Sequence, residues 1–124
     1  MSKILVVDDE ERVRLTLKRL LEARKHEVIL ASGGKEGLKA AAKQRPDLIL
    51  LDINMPDIDG LTVLATLKEK KETALIPVIM LTGVDTGESV KKAMYWYTER
   101  YIVKPFDAVQ LHAAIESVLA SRKS

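Results

Sequence analysis

Four short apolar runs in this sequence each end in side chains that can bind or transfer a charged group. In chain order, the residues at these ends are Asp8 and Asp9, Asp52, Thr82, and Lys104 with Pro105. Three carboxylates could together hold a divalent cation, since Mg²⁺ prefers oxygen ligands. The hydroxyl and the ammonium could bind the oxygens of a phosphoryl group. The set indicates metal-assisted phosphoryl chemistry, provided that the chain folds so that these ends meet.

The apolar runs themselves indicate how the ends could meet. Near-continuous runs of about four apolar residues are typical of strands buried on both faces of a parallel sheet. The carboxyl ends of such strands lie along one edge, and ligands bind there. A further run, Glu27 to Leu30, predicts one more strand between the first two. We therefore expect five strands, with the polar ends gathered at one edge of the sheet.

Apolar residues at helical spacing separate the predicted strands. The first predicted helix follows Asp9, and the last follows the capping residue Asp107. Between them, helices are predicted from Ser32 to Arg45, from about Leu61 to Lys71, and from about Gly87 to Trp96. The last helix is predicted to bury Val109, Leu111, Ala114, Ile115, Val118 and Leu119. Five β-α units predict an α/β three-layer sandwich with right-handed crossovers. The first and third strands must be neighbours if their aspartates share a cation, and the order 2-1-3-4-5 satisfies this.

Composition excludes several classes of protein. The 124 residues, 47% of them hydrophobic, predict a single domain over 1–124. The net charge is only +2 and both signs are interspersed, so no basic stripe indicates a nucleic-acid partner. There is no cysteine for a disulfide or a thiol nucleophile. No apolar run approaches the ~20 residues that span a membrane, and the first strand leaves no room for a signal peptide. We expect a cytoplasmic protein without a membrane partner.

The motifs together resemble the receiver domain of two-component response regulators, in its stand-alone form. The matching segments are Val6 to Glu10, Pro46 to Pro56, Asp59 with Gly60, Thr82, and Tyr101 to Phe106. Each segment is a weak signal alone, but their order and spacing cover essentially the whole chain. The resemblance implies the flavodoxin-like, CheY-like topology with strand order 2-1-3-4-5, in agreement with the pattern of the strands.

The resemblance also implies roles at the strand ends. Asp52 would be the phosphoacceptor, attacking a phosphohistidine to form an acyl phosphate. Asp9 would ligate Mg²⁺ directly, Asp8 would act mostly through a bound water, and Asp52 would complete the carboxylate set. The main-chain carbonyl of Asn54 would be a further metal ligand.

The remaining implied roles concern the phosphoryl group and the switch. Lys104 and Thr82 would bind phosphoryl oxygens, and a cis bond before Pro105 would aim the lysine into the site. Thr82 would move toward the phosphoryl group, and Tyr101 would then turn inward.

The resemblance further implies the partners and the class of protein. The phosphoryl donor would be a histidine kinase or a histidine phosphotransfer protein. A downstream protein would bind the face built from the fourth helix, the fifth strand and the last helix, on a monomer or weak dimer. The chain would be a signalling protein and not an enzyme, catalysing only its own phosphorylation and dephosphorylation.

Ordinary structural roles remain open for each residue taken alone. Asp8 and Asp9 could merely cap a helix and complement its dipole. The segment from Asp52 to Gly60 could be only a polar turn. Thr82 could be an ordinary threonine at a strand end, and Lys104 a solvated loop residue. Coincidence at all four strand ends is the weaker explanation.

Three other functions remain as alternatives. An aspartate-nucleophile hydrolase would usually carry Asp-x-Asp after the first strand and a substrate cap, whereas Asp8 and Asp9 are adjacent and no cap is present. A nucleotide-binding module could use Gly33, Gly34 and Gly37, although these do not match the dinucleotide fingerprint. A phosphorylation-independent adaptor would usually have lost key residues that this sequence keeps.

The aromatic residues depart from the family pattern. All five lie between Tyr95 and Phe106, including Tyr95, Trp96 and Tyr97. From Trp96 to Arg100, just before Tyr101, the family usually has small residues, a glycine and an acidic pair. This segment could pack locally over the sheet edge or form a docking patch for a partner. We predict that it is the output surface, switched through Tyr101.

Overall fold

A computed structural model describes residues 2–83 and 100–123. The strands are β1 (Lys3–Val7), β2 (Glu27–Ala31), β3 (Leu48–Asp52), β4 (Val78–Thr82) and β5 (Arg100–Val103). The helices are α1 (Glu11–Ala23), α2 (Gly34–Gln44), α3 (Gly60–Glu69) and α4 (Ala108–Lys123). The helix predicted from Gly87 to Trp96, and with it the Tyr95–Tyr97 segment, lies outside the described residues. Within the described part of the chain, no helix has both the length and the apolar character to cross a membrane.

The five strands form one parallel sheet in the order β2-β1-β3-β4-β5. This confirms the predicted α/β fold and its strand order. The register pairs Val7 with Leu51, and Asp52 with Leu81. Thr82 pairs with Val103, the residue before Lys104. The polar residues that end these strands therefore lie side by side at one edge of the sheet.

Two hydrophobic cores sandwich the sheet, and they explain why the strands are apolar without interruption. Side chains alternate along a strand, so Leu5 and Val7 pack in one core while Ile4 and Val6 pack in the other. The first core contains Ala41 of α2 and buried residues of α3, and the second contains buried residues of α1 and α4. Because both faces are covered, every residue of β3 and β4 is buried.

Residues close in sequence determine where the helices begin and end. Arg45 ends α2 in a left-handed conformation, with φ 47°. Asp59 caps α3 by accepting a hydrogen bond from the Thr62 N–H, at 2.9 Å. The predicted cap of α4 is confirmed, because the Asp107 carboxylate accepts from the Gln110 N–H at 2.7 Å.

The prediction that Val109 faces the core is wrong, since the residue is 79% exposed. The buried stripe of α4 begins at Leu111 and continues through Ala114, Ile115 and Val118. Val109 precedes Leu111 by two residues, which places it about 200° around the helix from that stripe. Its side chain therefore points away from the sheet.

Candidate functional site

Three carboxylates meet where β1 and β3 end. One oxygen from each of Asp8, Asp9 and Asp52 lies within 4.8 Å of the other two. Asp8 and Asp52 are buried, whereas Asp9 is exposed. The two buried acids are neighbours because β1 and β3 are adjacent. The structure thus brings together the carboxylates that the sequence placed at separate strand ends.

Lys104 is the cation that faces this cluster. Its Nζ donates to Asp8 Oδ2 at 2.9 Å and to Asp52 Oδ1 at 3.3 Å. Its own N–H donates to the Thr82 carbonyl at 2.7 Å, and the Lys104-Pro105 bond is cis, as the resemblance implied. Burial lowers the pKa of the ammonium, but the hydrogen bond to Asp8 and the charge of Asp52 outweigh it, so the pKa is raised. Lys104 is therefore held charged beside two acids.

Asp52 has an unusual proton affinity for an aspartate. Burial and then the negative charge of Asp8 raise its pKa from 3.8 to about 6, against the opposing effect of Lys104. One ammonium does not fully compensate for two adjacent buried carboxylates. At neutral pH the carboxylate remains mostly ionised, which is the form that can act as a nucleophile. The buried carboxylates carry more negative charge than Lys104 neutralises, so this edge of the sheet also attracts a cation.

The raised pKa of Asp52 predicts that its ionised carboxylate lowers the stability of the metal-free protein in a pH-dependent way. Well below pH 4, under both pKa values, the group is protonated whether the chain is folded or unfolded. Between about pH 4 and 6 the folded state binds more protons, so stability falls as pH rises, by about 3 kcal/mol for a shift of about two units. Asp52→Asn should therefore raise the free energy of unfolding at pH 7 by about 1 to 3 kcal/mol in EDTA, with little gain at pH 4.

Urea unfolding of both proteins at the two pH values measures this difference. Glu22→Gln makes the same carboxylate-to-amide change at an exposed position of α1 and should show no such pH-dependent gain. A variant of Asp52 that is less stable than the parent at pH 7 would show that the crowding of carboxylates is not costly.

Thr82 and Tyr101 lie on neighbouring strands beside the carboxylates. Thr82 is buried, and its hydroxyl donates to the Gly83 carbonyl at 3.0 Å. Tyr101 is 47% exposed. Thr82 would have to give up its bond to Gly83 before its hydroxyl could donate to a group on Asp52.

A main-chain hydrogen bond fixes the loop between β3 and α3 next to the site. The Gly60 N–H donates to the Ile53 carbonyl at 2.6 Å, which folds the loop back on the end of β3. Ile53 and Met55 are buried, while Asn54 between them is exposed. Main-chain groups of this loop are thereby presented next to Asp52.

Two contributing residues were missed by the sequence analysis. Arg14 of α1 donates from its guanidinium to the Asp8 carbonyl at 2.8 Å. Asp57 accepts from the N–H groups of Gly34 and Lys35, each at 3.0 Å, and these bonds lower its pKa to about 2. Arg14 follows Asp8 by less than two helical turns, a spacing that could have suggested the contact. Asp57 is 23 residues from Gly34, and no local pattern signals that pairing.

The donor set fits a hard divalent cation. The three acidic side chains of the cluster offer carboxylate oxygens, two of them from buried residues. Magnesium is usually bound through one or two carboxylates with water and phosphate oxygens, so the set has the right chemistry. The Asp8 Oδ1 also accepts from the Glu10 N–H at 2.9 Å, which orients that carboxylate toward the cluster.

A family comparison covers nearly the whole chain. The model of the response regulator receiver domain matches residues 4–116. The alkaline phosphatase synthesis transcriptional regulatory protein PhoP of Bacillus subtilis is 38% identical over 118 residues, which are 95% of this chain and 48% of that protein. The response regulator PleD of Caulobacter vibrioides is 40% identical over 118 residues, which are 94% of this chain and 26% of that protein. The chain thus spans about half the length, or less, of these curated relatives.

Solved structures show the same fold over almost their full length. A response regulator receiver domain protein from Clostridium thermocellum aligns with a TM-score of 0.91 and 33% identity, covering 99% of this chain and 98% of that one. The chemotaxis protein CheY4 of Vibrio cholerae aligns with a TM-score of 0.88 and 29% identity, covering 95% of this chain and 98% of that one.

Proposed function

This chain belongs to the response regulator receiver domain family, a family of phosphorylation-dependent switches, and on that premise we propose that Asp52 is its phosphoacceptor. The observation that carries the proposal is the setting of Asp52. Its carboxylate is buried at a strand end, crowded by Asp8 and contacted by the Lys104 ammonium. A nucleophile with an adjacent cation is what in-line phosphoryl transfer needs from a protein.

The transfer begins from the ionised Asp52. One carboxylate oxygen attacks the phosphorus of a phosphohistidine, the N–P bond breaks, and the imidazole nitrogen keeps the electron pair. Lys104 already lies 3.3 Å from Asp52 Oδ1, so its ammonium can follow the negative charge onto the phosphoryl oxygens. Asp9, Asp52 and the Asn54 carbonyl would hold Mg²⁺, with Asp8 acting mostly through a bound water, and the ion would supply further positive charge for phosphoryl transfer.

A groove next to Lys104 offers a route for the phosphoryl donor. It has a volume of about 380 Å³ and runs between the start of α1 and the segment that follows β5. Its lining residues are Glu10, Arg12, Val13, Thr16, Lys104, Pro105 and Phe106. Because Lys104 is shared by the groove and the carboxylate cluster, a partner seated there would lie beside Asp52. We propose that a histidine kinase or a histidine phosphotransfer protein docks at this groove.

Phosphorylation by a small donor tests the assignment without any partner. Acetyl phosphate with Mg²⁺ should add one phosphoryl group per chain, detected by intact-mass measurement. Continuous turnover of an unrelated phosphate ester, without a stable adduct, would instead indicate a hydrolase.

Asp9→Asn is expected to weaken the stabilisation of the fold by Mg²⁺. Asp9 is the exposed member of the cluster, and its loss removes a ligand while leaving the buried acids in place. A cation at ten times its dissociation constant adds about 1.4 kcal/mol to the folded state. Thermal melts over a Mg²⁺ titration should show this gain in the parent and a curve displaced to higher Mg²⁺ in the variant. Superimposable titrations would remove Asp9 from the ligand set.

We further propose that Thr82 and Tyr101 transmit the phosphorylated state to an output face on β5 and α4. Exposed apolar side chains of Tyr101, Val103 and Val109 on these two elements support that location. Exposed aromatic residues such as Tyr101 are enriched at protein-binding surfaces. Trp96, the only tryptophan, lies five residues before Tyr101 in the sequence and can report the change.

Beryllofluoride with Mg²⁺ should therefore change the fluorescence of Trp96. The change should be lost in Thr82→Ala, which cannot donate a side-chain hydrogen bond to the bound group. A silent Trp96, together with unchanged hydrogen-exchange protection of β5, would place the output surface elsewhere.

A further inference from the structure

A second groove lies between α2 and α3, in the layer of helices that covers one face of the sheet. It has a volume of about 660 Å³. Its lining residues are Lys35, Leu38, Lys39, Ala42, Lys43 and Lys70. None of these residues belongs to the cluster of Asp8, Asp9, Asp52 and Lys104. The groove is therefore a separate feature of the surface.

The rim of this groove is positive and regularly spaced. Lys35, Lys39 and Lys43 follow one another at intervals of four residues along α2, which places their Cα atoms about 6 Å apart along the helix axis. Lys70 adds a fourth ammonium from the end of α3. Among the described residues, none of these ammonium groups takes part in an ion pair. Their charge is available to a partner.

The acidic residue of α2 does not offset this charge. Glu36 accepts hydrogen bonds from the N–H and the hydroxyl of Ser32, each at 3.2 Å, so its carboxylate is held at the start of the helix. The floor of the groove is apolar, with Leu38 and Ala42 only partly buried. The surface thus combines a partly exposed apolar strip with three lysines on α2 and one at the end of α3.

The combination of lysines and apolar surface favours an acidic protein helix over a nucleic acid as the partner. A single-stranded nucleic acid is usually bound by aromatic side chains that stack on its bases, and all the aromatic residues of this chain lie between Tyr95 and Phe106. An α-helix with acidic residues four positions apart presents carboxylates at the same repeat of about 6 Å as the lysines. Its apolar residues, three or four positions away, would lie on the adjoining face of that helix.

We propose that the α2–α3 groove docks an acidic amphipathic helix of a protein partner. Carboxylates of the helix pair with the lysine row, and its apolar residues cover Leu38 and Ala42. Helix-in-groove recognition of this kind uses apolar anchors for affinity and charges for orientation. None of the lining residues belongs to the carboxylate cluster, so the proposed docking does not require phosphorylation of Asp52.

The test uses a synthetic helical peptide with glutamate at every fourth position and leucine three residues after each glutamate. Fluorescence anisotropy of the labelled peptide should show saturable binding to the full chain. Lys39→Glu, in the middle of the row, should weaken binding about tenfold or more, a change equivalent to roughly 1.4 kcal/mol. Leu38→Ser should also weaken it, because the helix loses its apolar anchor.

Arg19→Glu is the matched control, because it reverses one exposed charge on α1, in the opposite helix layer. It should leave peptide binding unchanged. All three variants should retain the circular dichroism spectrum of the parent and full labelling of Asp52 by acetyl phosphate, which separates this site from the phosphoacceptor.

Three results would overturn the proposal. Equal binding of a scrambled peptide of the same composition would show a general attraction of charges without a docked helix. Equal weakening by Arg19→Glu would place the attraction elsewhere on the surface. Displacement of the peptide by an oligothymidylate at lower concentration than by unlabelled peptide would make the groove a nucleic-acid site.

Discussion

Asp52→Asn is expected to abolish labelling of the protein by acetyl phosphate and Mg²⁺. The amide that replaces the carboxylate has no anionic oxygen to attack phosphorus, and the remaining acids of the cluster are placed differently. Asp8 is held by bonds to the Glu10 N–H and to Lys104, and Asp9 is exposed. Intact-mass measurement should show one added phosphoryl group on the parent chain and none on the variant.

Glu22→Gln provides the control for this experiment as well, since it makes the same chemical change on the outer surface of α1. It should be labelled to the same extent as the parent. If the Asp52 variant were labelled undiminished, the phosphoacceptor would be another residue, and peptide mapping of the adduct would identify it. Because the variant should fold at least as stably as the parent, loss of labelling would not reflect unfolding.

Gly60→Ala is expected to damage both the fold and the site. A Cβ at this position would overlap the main-chain carbonyl oxygen of Asp52 and would lie 2.7 Å from the Ile53 Cα. Both obstacles are backbone atoms, so no side-chain rotation can relieve the clash. We expect a loss of about 3 kcal/mol or more in the free energy of unfolding, measured by urea denaturation. In the fraction that remains folded, labelling of Asp52 should be slower because its main chain has moved.

Gly83→Ala is the matched control, since a Cβ built at Gly83 has no atom of the described residues within 4 Å and its φ is not positive. Its stability should stay within about 0.5 kcal/mol of the parent. Comparable losses in the two variants would mean that glycine at position 60 is needed for some reason other than close approach to β3.

The sequence alone determined the strands and the helices that the structure describes, for reasons that are local. β1, β3 and β4 are recognisable because burial on both faces requires apolar residues without interruption, and few other elements need that pattern. Chemistry constrained the strand order, since Asp8 and Asp52 can share a site only if β1 and β3 are neighbours. The order 2-1-3-4-5 satisfied this constraint, and the family resemblance implied it. The cap at Asp107 was predictable for the same reason of locality.

Features that depend on distant parts of the chain were decided only by the tertiary structure. The pKa of Asp52 rises because burial and Asp8 together outweigh Lys104, a balance of distances that no motif encodes. The bond from Gly34 to Asp57 and the close approach of Gly60 to β3 likewise join segments whose separation in space has no local signal.

Val109 is a residue for which the sequence predicted the wrong environment. Its type suggested burial, but the phase of α4 relative to the sheet turned it outward. Helical periodicity states which residues share a face, whereas the packing of the whole domain decides which face is covered. The residues at the strand ends could therefore be identified from the sequence. The electrostatic state of the site and the surfaces left uncovered were decided by packing, because both depend on distances between elements far apart in the chain.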